Sequence, residues 1–591
     1  MDDPVDHSQT IVGGQTGYAV PLIVAVTGHR DLVAAELPDI RVRVRDFLQR
    51  LLDDYPERGV TVMSSLAEGA DQLVAEVALE LGVSLIAVLP MPREIYIDDF
   101  ETPAARERFD VLLARATEVL ELPITPGNTA RSIAGHGKNR TRQYAQLGVF
   151  LCAHCHILLA LWDGKYNDKL GGTGQVVRFH HDNVMPGYIP QSTTSRLILA
   201  DDESDLVYHI VCSRNRPDGQ PAEHVRDIPT SWFTTNDSWP RTPEMPLRHK
   251  QVLQHTTEFS ADALRHESRI EDEAWSLIDD NRGDNLPAGA RDIDHVFRAA
   301  DWLAIRFQKK YLRALRAVHV LALLMGFMYI VYSDVVAERL FIFAFVAFFV
   351  VAAAIQKYSS RHSWHRKYLD YRALAEGLRV QFYWAVAGVT SGSVFKFAHD
   401  NFLQMQDSDL GWIRNVMRVA GMECNVSPHR EKKGLELAIR EWVGDNNGGQ
   451  LGYYRKKTDE KVNRGKLVER FARIIMWVSV VAFLLFAFSS REIVDRVHDP
   501  AVILMGILLL AFGVRQSYSV SVADSELIKQ YEFMHRTFNN ARRRIERSSD
   551  DEERRRVLRL LGEAALEEHA EWILMHRERF VDEGEIWRIT G

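Results

Sequence analysis

At 591 residues the chain exceeds what a single hydrophobic core organises, and its length predicts roughly three to four domains. Its 72 Lys and Arg stand against 80 Asp and Glu, for a net charge of −8, so no global basic footprint points to a nucleic-acid partner. Four cysteines in this length argue against a disulfide framework and suit a reducing compartment. The first 19 residues read as a flexible N-terminus with neither a basic stretch nor an apolar run, so no cleaved signal is expected.

Residues 22–26, LIVAV, form a continuous apolar run rich in β-branched side chains, the pattern of a strand buried on both faces of a parallel sheet. It ends in the polar turn Thr27-Gly28-His29-Arg30-Asp31. Pro38 then suits a helix start, and Ile40, Val44, Phe47, Leu48 and Leu51 recur at helical spacing. A second strand is predicted over 60–63, followed by the turn 64–71, a helix through Leu81 and a third strand over 84–89. This β-α-β-α-β alternation predicts an α/β fold, a doubly wound, mostly parallel Rossmann-like sheet, with a ligand-binding domain over 20–250.

Ligands on such sheets bind outside the carboxyl ends of the strands. Three loops occupy such ends. The first supplies Gly28, His29 and Arg30; the second, Ser65, Glu68, Gly69 and Asp71. The third follows the apolar run 157–161 and supplies Trp162, Asp163, Gly171, Gly172, Thr173 and Gly174. Glycines let backbone N–H groups approach phosphate oxygens, and a helix N-terminus favours an anion, so a phosphate-bearing ligand is expected and no other cofactor. Cys152, His154, Cys155 and His156 invite a metal, but the second cysteine pair of a structural zinc site is missing. They are read as lying inside or just before an apolar strand, so no metal site is expected.

The motifs VTGHRDL, SSLAEGADQLVAEVALELG and LLALWDGKYNDKLGGTGQVV together resemble the SLOG superfamily, Rossmann-like domains that include the LOG phosphoribohydrolases and the DNA-processing protein. The resemblance covers about residues 20–215. It implies that the ligand is nucleotide-type, that Gly28, His29 and Arg30 border it, that Gly69 and Asp71 flank it, and that Gly171 to Gly174 hold its phosphate. The LOG pattern Gly-Gly-x-Gly-Thr-x-x-Glu is broken here, with Gln175 in the Thr place and Arg178 in the place of the hydrolytic Glu. A cation where the chemistry needs a carboxylate implies binding rather than turnover. The alternative is a membrane-anchored nucleotide or NAD hydrolase using Glu68, Asp71 and Asp163.

Residues 183–250 are rich in Pro and Trp, with a last strand expected over 206–212 and an irregular segment after it; 251–316 reads as a helical connector. Two apolar runs of 16 residues follow, 317–332 and 340–355. Each spans about 24 Å as a helix, close to the ~30 Å hydrocarbon core once semi-polar flanks are added. The second run holds five Phe and no polar side chain around its circumference, as no amphipathic helix does. A second pair, 474–488 and 501–522, completes an expected all-α membrane region of four transmembrane helices in two hairpins. The first hairpin with its trailing helix takes 317–390, a cytoplasmic linker 391–465, and the second hairpin with the C-terminal helices 466–591.

Basic residues cluster outside the hairpin loops: Lys309, Lys310, Arg313 and Arg316 before the first span, and Lys466, Arg470 and Arg473 before the third. The N-terminus, the middle region and the C-terminus are therefore expected on the cytoplasmic side of the cell inner membrane. Each hairpin is followed by a basic, aromatic helix, a weak tandem repeat. That order, with the closing LGEAALEEHAEWILMHRER, resembles the SLATT family, whose members accompany nucleotide synthases and SLOG sensors in bacterial antiphage defence. The resemblance implies a pore-forming or membrane-disrupting effector, gated by a nucleotide-derived signal and acting as a homo-oligomer in the lipid bilayer.

Overall fold

The computed structural model describes residues 10–11, 15–100, 102–167, 169–189, 205–234, 241–278, 286–287, 289–389, 402–403, 408–426, 430–488, 491–522 and 524–578. Its eight-stranded sheet consists of β1 (Leu22–Gly28), β2 (Val60–Ser64), β3 (Ser84–Leu89), β4 (Glu118–Glu121), β5 (Ile157–Trp162), β6 (Val207–Val211), β7 (Thr230–Phe233) and β8 (Arg241–Thr242). The spatial order is β8-β7-β6-β5-β1-β2-β3-β4. Strands β1 to β6 are parallel, and β7 and β8 add an antiparallel edge. A separate short hairpin pairs Thr10–Ile11 with Gln15–Thr16.

Every residue of β2 and β5 is buried, as is all of β1 up to its final glycine. Continuous apolar strands arise here because helices cover both faces. Helix Leu37–Asp54 presents Ile40, Val44, Phe47, Leu48 and Leu51 to this core, with Pro38 in its first turn. The chain runs outward from β1 through β2 and β3 to β4, then returns across the sheet to β5 on the other flank of β1. The strand order therefore reverses between β1 and β5.

One sequence expectation changes. The strand expected over 206–212 is present as β6 but is not the last, because β7 and β8 follow within the supposed irregular segment. Cys152 and His154, expected inside or just before an apolar strand, lie just before it, in the last turn of helix Lys138–His154; β5 begins at Ile157.

The chain divides into two compact units that interleave along the sequence. The first holds residues 1–302, 373–437 and 558–570, the second 303–372, 438–557 and 571–591. Within the first, helix Leu247–Arg265 buries Val252, Leu253, Phe259 and Ala263, and Trp384 donates its indole N–H to the Leu558 carbonyl at 3.1 Å. In the second, Asp370 is fully buried between Arg366 and Arg577, at 3.3 and 2.7 Å.

Three helical stretches among the described residues are long and apolar enough to cross a membrane: Ala290–Asp334, Arg339–Ala387 and Ile503–Arg547. Helix Arg339–Arg361 buries none of its residues against protein. The remaining expected span, 474–488, falls on helix Gly449–Ala487, where several side chains lie outside the described residues. Inside the second unit, two of these helices pack closely. A Cβ on Gly326 would stand 2.4 Å from Leu510, one on Gly506 would meet Ile330 at 3.4 Å, and the His319 and Tyr518 rings lie 5.3 Å apart. Positions rising along one helix thus meet positions falling along the other, so the pair is antiparallel.

Candidate functional site

Reversal of strand order between β1 and β5 opens a crevice at their carboxyl ends, where an α/β sheet places its ligand. The three loops singled out from the sequence converge there, and His29 ties them together. Its N–H donates to the Leu161 carbonyl at the end of β5, and its own carbonyl accepts from Ala70 N–H, each at 3.1 Å. Its Nε2 accepts the Asp163 backbone N–H at 3.1 Å. The same nitrogen stands 3.2 Å from Asp163 Oδ1. Both side chains are buried.

Two of the glycines answer first to the protein's own packing. A Cβ on Gly28 would stand 2.3 Å from that of Ala70, and one on Gly69 would stand 2.3 Å from the Arg30 carbonyl oxygen. Gly69 also has φ +88°, a region other residues enter only with strain. Gly171, at φ +71°, lies against the backbone of Tyr144 and Ala145. Gly172 donates its N–H to Lys169 and accepts from Gln175 and Val176. That N–H is therefore committed to the turn, and the cradle narrows to the first turn of helix Thr173–Asp182, where Thr173 and Gly174 are buried. Trp162, the last residue of β5, is buried, its indole N–H donating to the Lys165 carbonyl at 3.2 Å.

Asp71 opens helix Ala70–Glu80 and is buried. Burial pushes its carboxyl up to about 6, against the opposing pull of the Ser65 hydroxyl, which donates to Oδ2 at 2.6 Å, and of the Arg30 charge. The Tyr96 hydroxyl donates to the Ser65 carbonyl at 3.1 Å. Between Ser65 and Asp71 the chain passes through Leu66, buried at φ +57°, a strained conformation of the kind that clusters at ligand-binding loops. Glu68 is half-buried, and the exposed Arg30 sets its guanidinium 5.3 Å from the centre of the Tyr144 ring. Burial would raise the Asp163 carboxyl, but the His29 contact and the Lys165 N–H at 3.0 Å outweigh it and hold it below its ordinary range.

Three polar atoms around this crevice have no partner among the described residues: Asp163 Oδ2, Tyr144 Oη and Gln175 Oε1. Buried polar groups are nearly always hydrogen-bonded, so three orphans beside one strand-end crevice suit a polar ligand. Tyr144 and Gln175 escaped the sequence reading. Tyr144 sits on helix Lys138–His154, where no motif marked it, and Gln175 registered only as a departure from the LOG pattern. Asp31 is tied to Arg214 through both carboxylate oxygens, at 2.8 and 3.1 Å, which joins the first loop to the end of β6.

Arg178, the residue in the LOG glutamate's place, is exposed and lies 3.6 Å from Asp182 on its own helix. The candidate metal residues are otherwise engaged. Burial pushes the Cys152 and Cys155 thiols up, His154 Nδ1 lies 2.7 Å from the Arg418 carbonyl, and His156 Nδ1 accepts from Ile23 N–H at 3.0 Å. No family model, curated protein or solved structure matches this chain.

Proposed function

We propose that the α/β unit senses a nucleotide-type small molecule and that the apolar helices are a membrane effector responding to it, as a SLOG-like sensor joined to a SLATT-like region in bacterial antiphage defence. The observation that carries the sensing half is the meeting of His29, Arg30, Asp71 and Asp163 with three orphaned polar atoms at the strand-order reversal. Arg30 and the first turn of helix Thr173–Asp182 suit a phosphate, while Asp163 Oδ2 suits a hydroxyl or amino donor such as a sugar or base carries.

The effector half rests on three helical stretches whose most apolar 18-residue windows hold no buried residue. Parity supports four spans in all. The first span and helix Arg491–Val522 are antiparallel, and Arg339–Arg361 returns the chain to its starting side. A helix antiparallel to the first must then begin on the far side, which requires one more crossing between 361 and 491. The apolar run 474–488 supplies it, for four spans in two hairpins with the N-terminus, middle region and C-terminus cytoplasmic. Homo-oligomers assemble through these spans.

Ligand gates the effector only by binding its active state more tightly. Full-length protein in liposomes, titrated with a nucleotide panel, is expected to bind one member and leak in response. Arg30→Ala should weaken that binding about tenfold or more, by loss of a charge-assisted contact. Arg178→Ala, at an exposed residue whose ion pair is with Asp182 on its own helix, should leave it unchanged. Absence of binding across the panel, or binding without leakage, defeats the reading.

A second reading, nucleotide hydrolysis, draws on Asp71. A buried carboxyl held near 6 beside Ser65 is suited to general acid–base work. Product formed by the full-length protein and abolished in Asp71→Asn would favour it over sensing.

A further inference from the structure

The helix that opens the first hairpin carries an outward face with a regular order of chemistry. Lys309, Arg313 and Arg316 follow one another at intervals of four and three residues, which places them on one side of the helix. All three are exposed, and among the described residues none is paired with a carboxylate. Arg316 donates only to the Tyr518 hydroxyl, at 3.3 Å. The same face continues into the apolar run through Val320 and Phe327, both solvent-facing at 56% and 39%. Gly326, one position round, instead packs against Leu510. Lys309 and Arg313 therefore lie on the outer side of this helix, where lipid would lie, and Arg316 stands at the seam of the pair, against Tyr518.

The helix that opens the second hairpin repeats this order at the same intervals. Lys466, Arg470 and Arg473 are exposed and lead into Trp477, 61% exposed, then Leu484, 49% exposed. Within each helix the sequence from cytoplasm inward is ammonium, guanidinium, guanidinium, then apolar surface. In the second helix a Trp stands at the junction, where its ring suits the headgroup boundary. Setting topology needs only a count of cations near the span, with no preference for a helix face or a repeated spacing. A phosphodiester headgroup with an acyl chain beneath it needs both.

We propose that Lys309/Arg313/Arg316 and Lys466/Arg470/Arg473 are two equivalent binding faces for anionic phospholipid of the cytoplasmic leaflet, each taking headgroup phosphate on its cations and acyl chain on the apolar surface below. Their long stems let the charges reach the headgroup level while lying along the helix. This inference rests on the bilayer reading of the apolar helices. It adds that the membrane region recognises its lipid, which makes the effector's assembly depend on anionic lipid content.

The test uses the full-length protein, purified in detergent and titrated with short-chain phosphatidylglycerol or phosphatidylcholine, and in parallel expressed in cells for carbonate extraction of membranes. Wild type is expected to prefer phosphatidylglycerol, with the preference falling as salt rises. Each face contributes about fivefold per cation, so replacing Lys309, Arg313 and Arg316 together by Gln should cost about a hundredfold at that face. Lys466→Gln with Arg470→Gln and Arg473→Gln should cost as much at the other. Glycerol phosphate alone should compete poorly, because it lacks the chain.

Wild type that stays with the membrane after carbonate yet binds both lipids alike overturns the lipid faces and leaves the spans standing. So does a preference that survives both triple substitutions, or equal competition by glycerol phosphate. Wild type extracted by carbonate overturns the bilayer reading itself. The wild-type titration decides the matter even where a triple variant fails to insert.

Discussion

The strand Ile157–Trp162 and the helix Arg339–Arg361 are both built around unbroken apolar runs, and their surroundings are opposite. Every residue of the strand is buried, while the helix buries none. The strand lies in the middle of a sheet covered by helices, so its apolar surface is removed from water by the protein itself. The helix has only its own backbone hydrogen bonds to satisfy it and leaves Phe343, Phe349 and Val350 facing outward at 69%, 55% and 57%. In water such a surface would be a liability far larger than single scattered apolar residues. In hydrocarbon it costs nothing, and a helix is one of the few structures that satisfies every backbone group there. The same composition thus suits two different solvents, and what separates the two segments is length, secondary structure and what packs around them.

The largest expected effect falls in the region where protein is the solvent. Gly69→Val places a side chain where φ is +88° and where a Cβ would already stand 2.3 Å from the Arg30 carbonyl oxygen. Strain and overpacking together should destabilise the α/β unit by about 4 kcal/mol, read as a lower unfolding midpoint of the full-length protein. A loss within about 0.5 kcal/mol would mean that the two loops are not packed together, and the crevice would lose its floor.

Phe343→Asp breaks the comparison from the other side. At a position 69% exposed, a helix in water should tolerate the change within about 0.5 kcal/mol. A helix in lipid should lose about 3 kcal/mol of insertion free energy, seen as a reduced membrane-integrated fraction. Unchanged integration would remove this helix from the bilayer.

The smallest effect has a sign that distinguishes the two roles of burial. Burial raises Asp71 to about 6, above its ordinary carboxylate value. The folded protein therefore holds this proton more tightly than the unfolded chain. The stability it adds is complete below about pH 4 and is lost as pH rises through about 6. Asp71→Asn removes that loss, so relative to wild type the variant should gain up to about 2 kcal/mol between pH 4 and pH 7, measured as the difference of their denaturation curves. A constant difference across that range would show that Asp71 is not buried as a carboxylate.

Much of the scaffold was legible from local pattern. The β-branched runs at 22–26 and 84–89 coincide with β1 and β3, and the helical spacing from Ile40 to Leu51 coincides with Leu37–Asp54. The weaker strands β4, β7 and β8 were not seen. They are short edge elements such as Glu118–Glu121, half of it charged, whose place comes from pairing with a neighbour rather than from composition. At the crevice, the strand-end loops were legible because turns need glycines and polar residues. Which glycine serves a ligand and which serves packing was not, because a Gly looks the same in sequence whether a phosphate or the Arg30 carbonyl lies beside it.

By itself the sequence determined what depends on neighbours along the chain: strands of a buried parallel sheet, apolar runs long enough for a bilayer, and cations gathered at one end of each hairpin. Tertiary structure alone decided what depends on residues far apart. It brought His29, Asp71 and Asp163 to one crevice, added Tyr144 and Gln175 to it, and turned Arg178 out to Asp182. It also set Gly326 against Leu510. Backbone propensity and hydrophobic period act over a turn or a strand, whereas strand order, burial of a carboxyl and close approach of two helices are settled only when distant segments compete for the same space.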